Sequence, residues 1–239
     1  MCIRARNVNR VVEIPDVNGD GVKDLAIVTE NGVYLMLSDP ATKTNKYLPP
    51  VLLSDEAGNV KDVTALKYDG DDAVDIVVIT DKQTPNRIYK GDEQDPEFKN
   101  VGVDEHLTGT TVNGVDGEKV GGLRHEYLED PTLGPGNFKD SSRVLPLDTD
   151  DDDVPDSFIV TNLDDQDELY LKHTSTDQLL TPVKLGDGPG GSNVATYDVD
   201  ATRLDPDDPN APLTIIFAKE GVDEYVELPK RDATTDPYD

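Results

Sequence analysis

The chain is almost without cysteine, Cys2 being the only one in 239 residues. A single thiol excludes an intramolecular disulfide and any cysteine-based zinc site. Tryptophan is missing altogether, and histidine is limited to His106, His125 and His173, no two of them at the i, i+4 spacing of a helical metal motif. Positive charge is scarce: 22 Lys and Arg stand against 50 Asp and Glu, for a formal net charge of -28. Nucleic acid and anionic lipid surfaces are therefore poor partners, and cations are the expected ones. No apolar run approaches the roughly 20 residues that cross a bilayer, so no transmembrane segment is expected. The opening "MCIRARNVNR" lacks the apolar region of a signal peptide.

What the chain has instead is acid placed beside short apolar runs. High net charge with modest hydrophobicity marks disordered chains, but here the apolar residues gather in β-branched clusters, as folded chains require. Three segments align without gaps: "DVNGDGVKDLAIVT", "KYDGDDAVDIVVIT" and "DTDDDDVPDSFIVT". Their anchors are Asp24, Asp75 and Asp156, each followed five residues later by Thr29, Thr80 or Thr161. The period is about 50 to 56 residues, with an insertion of about 30 between the second and third units.

Each apolar run reads as a strand buried on both faces. A β-rich stretch precedes each acidic loop ("RVVEIP", "VTAL", "RVLPL"), and a third strand carrying Tyr34, Tyr89 or Tyr170 follows the buried run. A weaker fourth strand comes from stretches such as "YLPPVLL" and "LLTPVKL". Four antiparallel strands per repeat make a propeller blade, so the expected fold is an all-β propeller. A worn fourth unit runs through "NVATYDVD", "PLTIIFA" and "DEYVEL". The blades are expected near residues 10–60, 61–100, 140–186 and 190–228, with an inserted rim loop at 92–142 and a frayed tail at 229–239.

The acidic loops have the chemistry of a calcium site, since this cation takes six to eight oxygen ligands at roughly 2.3 to 2.6 Å. In the first loop the candidate ligands are Asp16, Asn18, Asp20, Asp24 and the carbonyl of Val22, with Gly21 free to adopt positive φ. The third offers Asp148, Asp150, Asp152, Asp156 and the Val154 carbonyl. In the second, gapless alignment puts Lys67 at the first position and leaves Asp69, Asp71, Asp75 and the Ala73 carbonyl, or else Asp69 opens a loop two residues shorter; weaker binding is expected either way. An EF-hand or dockerin loop would need an acidic residue at position 12. Ile27, Val78 and Ile159 stand there instead. Solvated acidic turns, as on the surface of a protein from a saline habitat, are the bland alternative.

The run from acidic loop through buried strand to an Asn-Arg-Leu-Tyr-like strand, here "DGDDAVDIVVITDKQTPNRIYKGD", resembles the FG-GAP and VCBS repeats of integrin alpha chains and cartilage-acidic-protein-like secreted proteins. The resemblance covers roughly residues 10 to 92 and 143 to 228. It implies a calcium-stabilised propeller, with the metal role carried to the Asp and Asn positions of loops one and three. It also implies an extracellular or cell-surface location. Integrin-like members have seven blades, whereas four units are recognisable here. A compact four-blade ring, a part of a larger assembly or self-association, and a fragment all accommodate that number.

Catalytic signals are slight. "GDGPGG" has the glycine spacing of a dinucleotide loop but opens no helix, so the mechanism for holding phosphate is missing. Ser192 lacks a nucleophile elbow. Arg124, His125 and Tyr127 in the insertion form the best catalytic cluster the sequence offers. The leading expectation is a calcium-binding module that takes a protein or glycan ligand on its rim loops. The rival is a calcium-dependent polysaccharide lyase or hydrolase on the same scaffold.

Overall fold

Short runs of Ile and Val become strands because a β-branched side chain fits a pleated surface better than a helical turn. The computed structural model of the chain describes residues 8–30, 32–39, 41, 47–48, 50–54, 59–68, 73–91, 124–129, 131–149, 154–172, 182–185, 196–203, 211–219 and 224–228. Strands β1 (Val8–Ile14), β2 (Asp24–Thr29), β3 (Gly32–Met36) and β4 (Val51–Ser54) form one antiparallel sheet in sequence order. β5 (Val60–Leu66), β6 (Asp75–Thr80), β7 (Arg87–Lys90) and β8 (Arg124–Tyr127) form the second. The third holds β9 (Ser141–Leu147), β10 (Ser157–Asn162), β11 (Asp167–Tyr170) and β12 (Val183–Leu185). β13 (Thr196–Arg203), β14 (Leu213–Lys219) and β15 (Glu224–Leu228) make a three-stranded fourth. Each is an up-and-down meander, the blade unit of a β-propeller.

The repeated threonine has a local reason. The Thr29 hydroxyl donates to the Gly32 carbonyl at 3.0 Å, and the Thr80 hydroxyl to the Thr84 carbonyl at 2.5 Å. Each satisfies a carbonyl at the turn into the third strand. In the third sheet the Thr161 hydroxyl instead meets that of Ser142 at 2.8 Å.

Three expectations are revised. β6 and β10 are buried at every residue, but β2 leaves Leu25 and Ile27 half-buried and β14 leaves Ile216 42% exposed. The insertion is not loop throughout: β8 lies inside it and supplies the outer strand of the second sheet, pairing Arg124 to Tyr127 with Lys90 to Arg87. The tyrosines of the third strands are not equivalent positions either. Tyr34 pairs with Ile27 and Tyr89 with Ile76, three and one residues past their anchors, whereas Tyr170 pairs with Phe158, two past its own. Because strand side chains alternate, Tyr170 sits on the opposite face of its sheet from the other two.

The chain divides into two compact units, 1–65 with 71–138 and 66–70 with 139–239. The core of the first joins Ile14, Ala26, Val28 and Leu35 of the first sheet to Val63, Ile76, Val78 and Tyr89 of the second. In the second unit, Leu147, Ile159 and Leu169 pack with Ile215, Phe217 and Leu228. Phe158 also stacks on Tyr170, with centroids 4.7 Å apart, and meets Tyr68 edge-on at 5.3 Å. Buried Glu168 is neutralised by Lys139 at 2.5 Å and Lys184 at 2.6 Å. Burial works against the charge on Lys184, but the hydrogen bond and charge of Glu168 outweigh it and raise its pKa.

Phe158→Ala should cost about 3–5 kcal/mol in urea unfolding, while Val11→Ala, on an exposed side chain, should stay within about 0.5 kcal/mol. Equal costs would mean that the aromatic stack does not hold the third sheet.

Candidate cation site

The first acidic loop joins β1 to β2, and its own carboxylates fold it. Asp16 accepts the backbone N–H groups of Gly19 at 2.7 Å and Asp20 at 3.1 Å on Oδ1, and that of Gly21 at 2.6 Å on Oδ2. Gly19 and Gly21 have φ of 75° and 84°, the left-handed region that glycine enters without Cβ strain. Asn18 Oδ1 accepts from the Asp20 N–H at 3.2 Å, and Asp20 Oδ1 from the Val22 N–H at 2.8 Å. The loop is thus a run of side-chain-capped turns.

Ser38, just beyond β3, fastens the loop from outside. Its N–H donates to Asp24 Oδ1 at 2.6 Å, its hydroxyl to Asp20 Oδ2 at 2.7 Å, and its carbonyl accepts from Asn18 Nδ2 at 3.0 Å. Asp24 Oδ2 accepts the N–H of Val17 at 2.8 Å. Ser38 leaves no local pattern in the sequence, because its partners lie 14 to 20 residues away. The Ser38 hydroxyl is the main reason that the Asp20 carboxyl is held below its ordinary pKa. Burial pushes Asp24 the other way, against the hydrogen bonds it accepts.

The anchors of the other loops do similar work. Asp156 is buried, and Thr149 donates to it through both its N–H at 3.2 Å and its hydroxyl at 2.9 Å. The Thr149–Asp156 bond spans seven residues, as Val17–Asp24 does. Asp75 is buried and accepts the N–H of Gly91 at 3.0 Å. A Cβ on Gly91 would meet the Val74 carbonyl oxygen at 2.6 Å, so only glycine brings that N–H so close. Asp69, Asp71, Asp150 and Asp152 lie outside the described residues, whereas Ala73, Asp148 and Val154 are described and stand in the same loops.

The structure brings Asp16, Asn18, Asp20, Val22 and Asp24 into one loop. Among the described residues, however, no group of three or more His, Cys, Asp or Glu is gathered as a metal ion would need. In kind the donors fit a hard cation: all are oxygens, and each carboxylate has lone pairs beyond the N–H bonds it accepts. Of the catalytic cluster read from the insertion, Tyr127 lies under the Arg87 guanidinium, 5.1 Å from the ring centroid. His106, His173, Ser192 and the "GDGPGG" glycines lie outside the described residues.

Residues 16–78 match a family model described as "FG-GAP-like repeat". This segment is similar to an FG-GAP-like repeat. It opens at Asp16, the first residue of the loop, and ends within β6. No curated protein matches the chain. A solved chain described as "Crystal structure of BBS1N in complex with ARL6DN, soaked with lead" is similar at 10% identity and a TM-score of 0.47. The match covers 92% of this chain and 57% of that one. That likeness is too distant to carry function across.

The N–H bonds to Asp24 predict a difference between two amide substitutions. Asp24→Asn turns an NH2 toward one of two backbone donors and should cost about 1–3 kcal/mol. At Asp156 the Thr149 hydroxyl can rotate to accept, so Asp156→Asn should cost under about 1 kcal/mol. Urea unfolding at neutral pH measures both, and the reverse order would discredit the hydrogen-bond account.

The depressed pKa of Asp20 predicts a pH effect. Its contribution to stability is present above the unfolded value near 3.8 and fades as pH falls through the folded one. Ser38→Ala should raise the Asp20 pKa in a carboxyl NMR titration and reduce that contribution.

Proposed function

We propose that the chain is an extracellular binding module whose propeller blades are stabilised by calcium at the first acidic loop. The observation that supports this reading is the loop itself: an all-oxygen donor set between two strands, already folded by its own hydrogen bonds. Asp16, Asn18 and Asp20, with the Val22 carbonyl, would hold the ion, and Asp24 would contribute from its buried position. Calcium supplies charge neutralisation where three carboxylates share nine residues. The Asp148 to Asp156 loop is the second proposed site, and the Asp69 to Asp75 loop a weaker third.

Folded turns lower the ordering cost of binding, because the chain need not be arranged when the ion arrives. Burial of Asp24 adds to the case, since a desolvated carboxylate gains from a nearby cation. The acidic surface is unsuited to nucleic acid. No described helix is long and apolar enough to cross a membrane. The ligand of the module is proposed to be a protein or glycan, met through loops at the blade rim.

Thermal unfolding in calcium and in chelator tests the reading. With free ion at ten times the dissociation constant, each site should add about 1.4 kcal/mol. Asp16→Asn combined with Asp20→Asn should abolish the first site's share and leave any contribution from the third loop. Identical midpoints in calcium and chelator, with no bound ion by native mass spectrometry, would refute it. If monovalent salt stabilises as well as calcium does, screening of the net charge is the cause.

A further inference from the structure

Among the described residues, three sheets carry four strands and the fourth carries three, ending at β15. Among the described residues β15 is the edge strand of its sheet, and an edge strand presents backbone N–H and C=O groups to a further strand. The two faces beside that edge differ. On one, Tyr225 is 69% exposed and pairs with the exposed Ile216, which in turn pairs with exposed Asp200. Glu227 and Asp198 are exposed on the same face. On the other, Val226 and Leu228 belong to the core shared with Ile215 and Phe217.

We propose that the edge of β15 takes up an extended segment of another polypeptide, one that alternates basic and apolar residues. The alternation follows from the pleat, which turns successive side chains to opposite faces. Those beside Tyr225 and Glu227 meet an aromatic ring and a carboxylate, a surface that suits Arg by cation–π contact and charge pairing. Those on the other face continue the row of Val226 and Leu228 and are apolar. A second copy of this chain fits poorly, because its own β15, "EYVEL", would bring Glu227 to an acidic face on a chain of net charge -28. The inference goes beyond the calcium reading and does not depend on it.

The probe is a fluorescein-labelled peptide of alternating Arg and Val, compared with a peptide of the same composition in scrambled order. Fluorescence anisotropy at physiological salt should show the alternating peptide bound roughly tenfold more tightly, equally in calcium and in chelator. Hydrogen exchange should slow in residues 224–228. Tyr225→Lys, and separately Glu227→Lys, should weaken binding roughly tenfold while leaving the unfolding midpoint in place, since both side chains are exposed. Equal affinity for the two peptides, protection elsewhere in the chain, or unchanged binding by both variants would overturn the proposal. So would a dimer in sedimentation that Tyr225→Lys dissolves, because the occupant would then be a second copy.

Discussion

The first three blades depend on a buried carboxylate at the head of the central strand. Asp24, Asp75 and Asp156 are withdrawn from solvent, yet each has at least one oxygen on an N–H or O–H donor from a chain segment outside the central strand. Asp suits this place because it is short, carries two acceptor oxygens and reaches a backbone donor without leaving the strand. Removing it would leave buried N–H groups unpaired, which costs more than the bond itself contributes. In the first sheet the same carboxylate holds both the entry to the loop, through Val17, and the exit of β3, through Ser38.

That constraint explains what could be read from sequence. The anchors recur with an apolar run and a threonine five residues on because a central strand of fixed length must start on a buried acceptor and end on a turn. Both ends are local, so both leave a pattern in the chain. Ser38, Thr149 and Gly91 left none. Their bonds to the anchors depend on where the chain returns, and a serine, a threonine or a glycine in a loop is too common to be informative. β8 was hidden for a similar reason: Arg124–Tyr127 becomes a strand by pairing with β7 across a long connection, not by any alternation of its own. The exposure of Ile216 was also invisible, since an apolar run does not record whether its sheet has a covered outer face.

The acidity of the chain likewise separates into two kinds of carboxylate. Some work on the backbone: Asp16 and Asp20 shape turns, and the anchors tie strands together. Others, such as Glu227, lie exposed on the last sheet and set the character of its surface. The first kind is a matter of folding and the second of partners. Composition adds both into one net charge.

The distinction bears on how the acidic loops should be read. An Asp at position 9 recurs in all three, which at first sight marks three cation sites. In the second loop, however, Lys67 replaces the first candidate ligand while Asp75 stays buried and bonded to Gly91. The anchor is thus kept where the donor set is broken, so its recurrence reflects strand closure whether or not an ion is present. What separates a cation loop from a merely closed one is the run before the anchor. Asp16, Asn18 and Asp20 shape a turn, which Ser38 fastens through Asn18 and Asp20, and they keep lone pairs to spare. Those three residues carry the case for calcium, and Asp24 carries the case for the blade.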